Sequence, residues 1–224
     1  SVDLAILCLP DDAARETAAI VESLGADGPR LLDASTAHRV ADGWTYGFPE
    51  LAAGQGEAIK RARLVANPGC YATGAIALLR PLVDAGLIPA DWPLTVNAVS
   101  GYSGGGRQMI ETYETHKAPL FETYGLGLEH KHVPEIVKWS GLKPRPLFVP
   151  SVGNFRPGML VNAPLQLDAL PGKPKAADLE AALSKHYAGQ RYVRVVRPDA
   201  SGRLDALALN GTNEQIENAA EIGM

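Results

Sequence analysis

Cysteine and long apolar runs are what this sequence has least of. Only 2 cysteines occur among its 224 residues, too few for a disulfide framework, and this predicts a cytoplasmic protein in a reducing environment. No apolar stretch approaches the roughly 18 to 20 residues of a membrane-spanning helix, and nothing at Ser1 resembles a signal peptide. We therefore predict that the protein has no membrane partner.

An excess of positive charge is also missing. The formal net charge is -4 at pH 7, which argues against a nucleic-acid partner but leaves room for a local basic pocket that binds an anion. The composition, 46% hydrophobic and 21% charged, is that of an ordinary folded protein. The length suits one well-cored domain or two small ones.

Strand and helix patterns alternate from the start of the chain. The near-continuous apolar run in "SVDLAILCLP" predicts a parallel strand buried on both faces, with Cys8 in the core. "DDAARETAAIVESLGA" then predicts a helix capped by Asp11 or Asp12, "RLLDAS" predicts a second strand, and "GEAIKRARLVANPG" predicts a short helix leading into a third strand. This order indicates an α/β fold with a partial doubly wound, Rossmann-like parallel sheet.

Later segments predict a second kind of layer. A helix over residues 70–86 is followed by a strand over residues 94–101, and "LFVPSV", "MLVNAPLQLDAL" and "RYVRVV" have the pattern of further strands. "KAADLEAALSKHY" predicts a helix with one apolar face. Together these elements predict an α+β domain with a mixed sheet, and we place the domain boundary between residues 69 and 70.

The segment "NPGCYATGAI" places Cys70 directly after a proline and a glycine and before a predicted helix. Unpaired N–H groups and the dipole at a helix start favour a thiolate, which is the nucleophilic form of cysteine. Cys70 is therefore a candidate nucleophile. The alternative is a small buried residue at a helix start, since free cysteine is among the most buried residue types.

Two histidines stand close together in "EHKHVPEI", before a predicted helix with Pro134 in its first turn. On an extended backbone His130 and His132 would point the same way, so that one could poise the Cys70 thiol and the other contact substrate. A structural role stays open, and so does a zinc site, although no third ligand follows at a familiar spacing. His116 and His186 are predicted to face solvent.

A glycine-rich stretch, "SGYSGGGR", follows the strand predicted over residues 94–101. Consecutive glycines let backbone N–H groups approach an anion closely, and Arg107 adds a planar positive group for phosphate or carboxylate. The stretch matches neither a phosphate-binding P-loop nor the dinucleotide G-x-G-x-x-G turn. It predicts a binding site for an anionic group.

Three segments, "NPGCYATGAIALLRPL", "SGYSGGGR" and "YGLGLEHKHVPEI", in this order and at this spacing, resemble N-acetyl-gamma-glutamyl-phosphate reductase, an arginine-pathway family related to aspartate-semialdehyde dehydrogenase. "LAILCLPDDAARE", "LLDASTAHR" and "VGNFRPGMLVNAPLQL" resemble its flanking segments. The likeness runs from about residue 2 to about residue 213 and is greatest to the shorter of the family's two subtypes.

The resemblance implies a reaction through a thioester. Cys70 would attack the acyl phosphate of N-acetyl-gamma-glutamyl phosphate and expel phosphate, and NADPH would then reduce the thioester to the semialdehyde. His130 is the first choice for the acid/base group, with His132 close behind. The resemblance also implies binding residues for the phosphate and substrate, namely Ser103, Gly104, Arg107, Tyr124 and Glu135.

On the cofactor side, the resemblance implies that residues 1–69 are the remainder of an NADP-binding domain and residues 70–224 the catalytic and dimerisation domain. Leu9, Pro10 and Ser35 follow the first two predicted strands, and open α/β sheets bind dinucleotides at this edge. The family's G-x-x-G-x-x-G turn and its final strands are not recognisable, so we expect a piece of a longer protein or, alternatively, a reduced homologue. The resemblance further implies a homo-oligomer, a dimer or tetramer, and from the ligand spacing we expect no resident metal.

Two other functions stay open at the level of sequence. A thiol acyltransferase or hydrolase that needs no cofactor would use the same cysteine and histidines. A remnant without catalytic activity, kept as a subunit-interface or regulatory partner, would keep the fold but have an ordinary thiol at Cys70.

Overall fold

Two units divide the chain, Ser1–Thr73 and Gly74–Met224. The computed structural model describes residues 2–115, 117–197 and 220–223, and each unit carries its own sheet. The elements, in chain order, are β1 (Leu4–Leu7), α1 (Asp11–Ser23), β2 (Arg30–Asp33), β3 (Thr45–Tyr46), α2 (Gln55–Arg61), β4 (Leu64–Ala66), α3 (Cys70–Asp84), β5 (Thr95–Gly101), α4 (Gly106–Glu114), β6 (Phe121–Thr123), α5 (Val133–Ser140), β7 (Leu147–Gly153), β8 (Met159–Asn162), α6 (Ala176–His186), β9 (Val193–Val196) and β10 (Ala220–Gly223).

The first unit contains a parallel sheet with the strand order β1-β2-β4-β3. Leu7 of β1 pairs with Asp33 of β2, and Asp33 pairs with Ala66 of β4, so these strands end at one edge of the sheet. The predicted α/β fold with a Rossmann-like parallel sheet is confirmed. Its buried core consists of Leu7, Ala18, Val21, Leu31, Trp44 and Ala66.

The predicted burial of the first strand is wrong. Leu4 and Ile6 are 51% and 60% exposed, and Cys8, predicted to lie in the core, is exposed as well. In the described part of the chain β1 pairs with β2 alone, so it is an edge strand whose outer side chains meet solvent.

The predicted cap of the first helix is also wrong. The N-cap of α1 is Pro10. The Asp11 carboxylate instead accepts hydrogen bonds from the backbone N–H and the hydroxyl of Thr36. It therefore ties the start of α1 to the loop after β2.

The second unit contains a mixed sheet with the strand order β6-β7-β5-β8. β5 and β7 are parallel, whereas β8 and β6 run antiparallel to their neighbours, as predicted for the α+β layer. β8 ends at Asn162, and the rest of the predicted "MLVNAPLQLDAL" strand is irregular up to a short 3-10 turn at Leu167–Ala169. Pro164 has no N–H to offer a strand ladder, which accounts for the early end.

The helix α6 buries the apolar face that its sequence predicted. Leu179, Leu183 and Tyr187 are each at most 4% exposed, and the Tyr187 hydroxyl donates to the carbonyl of Ala77 at 2.8 Å. β9 pairs in parallel with β10. Among the described residues, no helix has both the length and the apolar character that crossing a membrane requires.

Candidate active site

Cys70 is the first residue of α3 and is exposed. The chain reaches it from β4 through Asn67, Pro68 and Gly69, and the Gly69 carbonyl accepts the backbone N–H and the hydroxyl of Thr73, both at 2.9 Å. The predicted geometry of strand, tight turn, cysteine and helix is therefore present. The helix start favours a thiolate by its dipole and by its unpaired N–H groups.

The approach to Cys70 is tightly packed. The Asn67 N–H donates to the backbone carbonyl of Asp33 at 2.7 Å, and the Gly47 N–H donates to Ala66 at 2.9 Å. A Cβ at Gly47 would lie only 3.0 Å from the Ala66 carbonyl oxygen and 3.4 Å from Pro68. Glycine at this position thus permits the close approach that fixes the end of β4.

His130 and His132 lie in a turn before α5, and not on the extended backbone that the sequence suggested. The His130 carbonyl accepts the Val133 N–H at 2.9 Å, and His132 has helical dihedral angles as the N-cap of α5. The turn still brings the rings together, with centroids 4.7 Å apart in an edge-on arrangement. His132 is buried at 4% exposure, whereas His130 is half-buried.

The hydrogen bonding of His130 constrains its tautomer. Its Nδ1 accepts the His132 backbone N–H at 3.2 Å, so in the neutral ring the proton resides on Nε2. Burial, and secondly the charge of Lys131, lower the pKa of His130 below its ordinary value. The geometry therefore favours a neutral imidazole with an Nε2–H donor.

Tyr124 and Glu135 flank this turn in different ways. The Tyr124 ring lies 5.8 Å from the His130 ring, and the ring of Phe148 packs edge-on to His130 at 5.1 Å. Glu135 is 1% exposed within α5. An open depression beside the turn is lined by Gly125, Gly127, Glu129, His130 and Lys131.

The glycine-rich stretch folds as a 3-10 turn, Tyr102–Gly105, that leads into α4. Ser103 donates both its hydroxyl, at 2.7 Å, and its backbone N–H, at 3.2 Å, to the carbonyl of Arg156. A Cβ at Gly101 would overlap that same carbonyl oxygen. The stretch is thus held against residues 154–158. The Ser103 hydroxyl proton is already donated to a backbone carbonyl of the protein.

Gly104 and Arg107 remain on the outside of this stretch. Both are exposed, and within the described ranges no hydrogen bond or ion pair involves the Arg107 guanidinium. The stacked rings of Tyr102 and Tyr113, 5.0 Å apart, support the turn from α4. Burial and the charge of Glu122 raise the pKa of Tyr113, which keeps this phenol neutral.

Leu9, Pro10 and Ser35 follow β1 and β2 at the shared carboxyl edge of the parallel sheet. Leu9 is 39% exposed there. Ser35 is buried, and its hydroxyl donates to Asp33 Oδ2 at 2.6 Å. The Ser35 oxygen also accepts the Ala37 N–H at 3.2 Å, so it keeps one lone pair toward a ligand.

The sequence patterns did not predict a buried polar cluster around Asp33. The fully buried Asp33 carboxylate accepts the Ser35 hydroxyl and N–H and contacts His38 Nδ1 at 2.6 Å. The His38 ring stacks on Trp44 with centroids 3.9 Å apart. The sequence feature that could have indicated this cluster is "LLDASTAHR", in which an aspartate at the end of a buried strand is followed by a serine and a histidine.

Two further histidines, His116 and His186, were predicted to face solvent. His186 is half-buried at the end of α6, and His116 lies outside the described residues. In the ranges that the structure describes, no group of 3 or more His, Cys, Asp or Glu side chains could hold a metal ion.

Comparison with known proteins identifies the family. The profile of the family described as "Semialdehyde dehydrogenase, dimerisation domain" matches residues 70–218. The chain is 52% identical over 220 residues to "N-acetyl-gamma-glutamyl-phosphate reductase 2" of Pseudomonas putida, covering 96% of this chain and 69% of that protein. The chain belongs to the N-acetyl-gamma-glutamyl-phosphate reductase family.

A second member of the N-acetyl-gamma-glutamyl-phosphate reductase family gives a similar match. The protein of that name from Brucella ovis is 54% identical over 209 residues, which cover 91% of this chain and 67% of the relative. The chain thus spans about two thirds of the length of these relatives. The family is one of oxidoreductases, so the predicted enzyme class is confirmed.

Solved structures support the fold of this N-acetyl-gamma-glutamyl-phosphate reductase family member. A probable aspartate-semialdehyde dehydrogenase from Pseudomonas aeruginosa superposes with a TM-score of 0.64 at 16% identity, covering 99% of this chain and 69% of that one. Aspartate semialdehyde dehydrogenase with NADP from Candida albicans gives a TM-score of 0.58 at 14% identity, covering 99% and 68%.

Proposed function

We propose that this chain carries the thioester chemistry of N-acetyl-gamma-glutamyl-phosphate reduction, in which N-acetyl-gamma-glutamyl phosphate is converted to N-acetylglutamate semialdehyde for arginine biosynthesis. The observation that carries the proposal is the position of Cys70, exposed as the first residue of α3 directly after the Pro68–Gly69 turn. Identity of 52% to a reductase so named supports the choice of substrate.

In the first step the Cys70 thiolate attacks the acyl carbon of the substrate. The bond between that carbon and the phosphate oxygen breaks, phosphate leaves with the electron pair, and a thioester remains on Cys70. The start of α3 stabilises the thiolate. The exposed Arg107 guanidinium and the Gly104 backbone are the proposed contacts for the phosphate.

In the second half hydride addition turns the thioester carbonyl into a thiohemiacetal alkoxide, which an acid/base group stabilises and protonates. The same group takes that proton back as the C=O bond of the aldehyde forms and the C–S bond breaks. We assign this task to His130, because its neutral ring presents an Nε2–H donor. Collapse releases the semialdehyde and returns the Cys70 sulfur. His132, buried at the start of α5, would hold His130 through its backbone N–H.

NADPH, when bound, supplies the hydride that reduces the thioester carbonyl. The residues present fit a dinucleotide at the carboxyl edge of the parallel sheet, because β1 and β2 end there side by side. Leu9 and Pro10 offer exposed surface at this edge, and Ser35 offers a hydroxyl oxygen whose proton is already donated to Asp33. Ser35 would therefore accept a hydrogen bond from the cofactor.

The proposed enzyme acts as a cytoplasmic homo-oligomer, a dimer or tetramer, through its second unit, residues 74–224. The matching family is described as a dimerisation domain. On the sheet of that unit, Phe121 of the edge strand β6 is 58% exposed and the adjacent Leu120 is 81% exposed. Such exposed apolar side chains suit contact with a second copy.

The test is to incubate the chain with N-acetyl-gamma-glutamyl phosphate and to look for an acyl adduct by intact and peptide mass spectrometry. We expect an adduct on Cys70 in the unmodified chain, none in Cys70→Ser, and adduct turnover to the semialdehyde when NADPH is added. Cys8→Ser is the matched control, because Cys8 is also exposed but lies outside the proposed site.

Other outcomes would identify the alternatives. An adduct that water removes without NADPH would indicate a thiol acyltransferase or hydrolase. A chain that forms no adduct, and whose Cys70 alkylates like Cys8, would contradict the proposal and indicate a remnant without catalytic activity.

A further inference from the structure

The Arg39 side chain donates hydrogen bonds to two backbone carbonyls, one of which lies in the segment Asn67–Gly69 that leads to Cys70. Its Nε donates to the carbonyl of Asn67 at 2.9 Å, and its second guanidinium nitrogen, Nη2, donates to the carbonyl of Ala34 at 3.1 Å. Ala34 directly follows β2, whereas Asn67 directly follows β4. The guanidinium therefore joins the ends of two neighbouring parallel strands.

The peptide of Asn67 is held from both sides. Its N–H donates to the Asp33 carbonyl at 2.7 Å, and its carbonyl accepts Arg39. Between this peptide and Cys70 lie only Pro68, whose ring fixes φ, and Gly69, the one residue with a permissive backbone. Any freedom at Asn67 would thus pass to the start of α3.

The loop that carries Arg39 is itself anchored. His38, its neighbour in sequence, contacts the buried Asp33 carboxylate at 2.6 Å and stacks on Trp44. Ser35 bonds the same carboxylate. The guanidinium is therefore presented from a fixed base, which allows it to restrain the Asn67–Gly69 turn.

We infer that Arg39 is a positioning residue for Cys70, which it serves by bridging Ala34 and Asn67 and so fixing the turn before α3. The inference rests on the proposed function for its catalytic meaning. A lysine has the charge but not the planar fork, so it cannot span the two carbonyls in the same way. The inference therefore predicts that charge alone does not restore the site.

The chain offers a matched control in Arg30. Its Nε donates to the Ala62 carbonyl at 2.9 Å and its Nη2 donates to the Ile59 carbonyl at 3.1 Å, the same atoms at the same distances as in Arg39. These carbonyls belong to the end of α2, not to the approach to Cys70. Arg30→Met thus removes an equivalent bridge from the same unit.

The experiment compares Arg39→Met, Arg39→Lys and Arg30→Met in the intact chain. The pH profile of iodoacetamide alkylation at Cys70 is measured by peptide mass spectrometry, with the exposed Cys8 of the same molecule as the internal reference thiol. Thioester formation from N-acetyl-gamma-glutamyl phosphate is measured in parallel as a function of substrate concentration. Urea unfolding shows that each variant is folded.

For Arg39→Met and Arg39→Lys we expect the midpoint of Cys70 alkylation to move to higher pH and thioester formation to slow about tenfold or more, because small displacements at a nucleophile cost rate. The half-saturating substrate concentration and Cys8 alkylation should stay unchanged, and Arg30→Met should behave as the unmodified chain. Unchanged Cys70 profiles in Arg39→Met, full recovery in Arg39→Lys, or an equal loss in Arg30→Met would each overturn the inference. If the unmodified chain forms no thioester, the proposed function fails, while the alkylation profiles still test Arg39.

Discussion

The residue at the start of α3 is exposed, whereas the residue at the start of α5 is buried. α3 begins with Cys70, exposed after a turn of Pro68 and Gly69. α5 begins after His132, which is 4% exposed and donates its backbone N–H to the ring of His130. One start presents a side chain to solvent, and the other buries one in order to orient its neighbour.

Because of this difference, we expect substitution at Cys70 to affect the reaction and substitution at His132 to affect the stability of the fold. An exposed side chain at a helix start contributes little to packing, so Cys70 is replaceable without loss of the fold. A buried ring at a helix start is part of the packing, so His132 is not. The comparison therefore predicts that the two helix starts respond differently to substitution.

The largest expected effect is at Cys70. Cys70→Ser should abolish thioester formation and lower NADPH-dependent turnover by about a thousandfold or more, while the free energy of unfolding changes by about 0.5 kcal/mol or less. Turnover is followed by the absorbance of NADPH, and stability by urea unfolding. Residual turnover near that of the unmodified chain would remove Cys70 from the mechanism.

The next effect is at His130. His130→Asn should lower turnover by about 100-fold to 10000-fold, the usual range for loss of an acid/base group, but should leave alkylation of Cys70 by iodoacetamide nearly unchanged. The reason is that the Nε2–H donor acts on the thiohemiacetal oxygen and not on the thiol. A matching loss in alkylation would instead make His130 the group that activates Cys70.

The third effect concerns stability at the start of α5. His132→Asn should lower the free energy of unfolding by about 2 kcal/mol, because it removes a buried ring that packs on His130. His186→Asn, at a half-buried ring at the end of α6, is the control and should cost about 0.5 kcal/mol or less. Equal losses in urea unfolding would contradict the contrast between the buried His132 and the half-buried His186.

The smallest effect is a pH dependence that arises from His130. Burial lowers the pKa of His130 in the folded protein, so between that value and the ordinary pKa of about 6.5 the unfolded chain binds more protons. This part of the stability is present above about pH 6.5 and is lost as the pH falls through the lowered pKa. Urea unfolding at several pH values should show a shallower decline in His130→Asn, and identical slopes would contradict the assignment.

Much of the fold was predictable from local patterns. The order of strands and helices, the mixed sheet and the position of Cys70 at a helix start all followed from apolar periodicity and from Pro68 and Gly69. The burial of β1 was predicted wrongly, because an apolar run indicates a strand but not how many neighbours it has. Leu4 and Ile6 are consequently exposed.

For the candidate site, the sequence proposed a set of residues but could not give their contacts. Sequence identified Ser103 as a phosphate contact, whereas the structure shows its hydroxyl donating to the Arg156 carbonyl, 53 positions away in the chain. It did not find the Asp33–His38–Trp44 cluster or the bridge made by Arg39. Such hydrogen bonds join positions far apart in sequence, and local patterns contain no record of them.

The sequence by itself determined the element order and the family, and it singled out Cys70, His130 and His132 as candidate site residues, because periodicity, turn residues and motif spacing are local properties of the chain. Only the tertiary structure decided that His132 is buried while the Nδ1 of His130 accepts the His132 backbone N–H. It also decided that Arg39 donates hydrogen bonds to the carbonyls of Ala34 and Asn67, just before Cys70. Burial and hydrogen-bond partners depend on which strands become neighbours, and that is fixed only when the sheet forms.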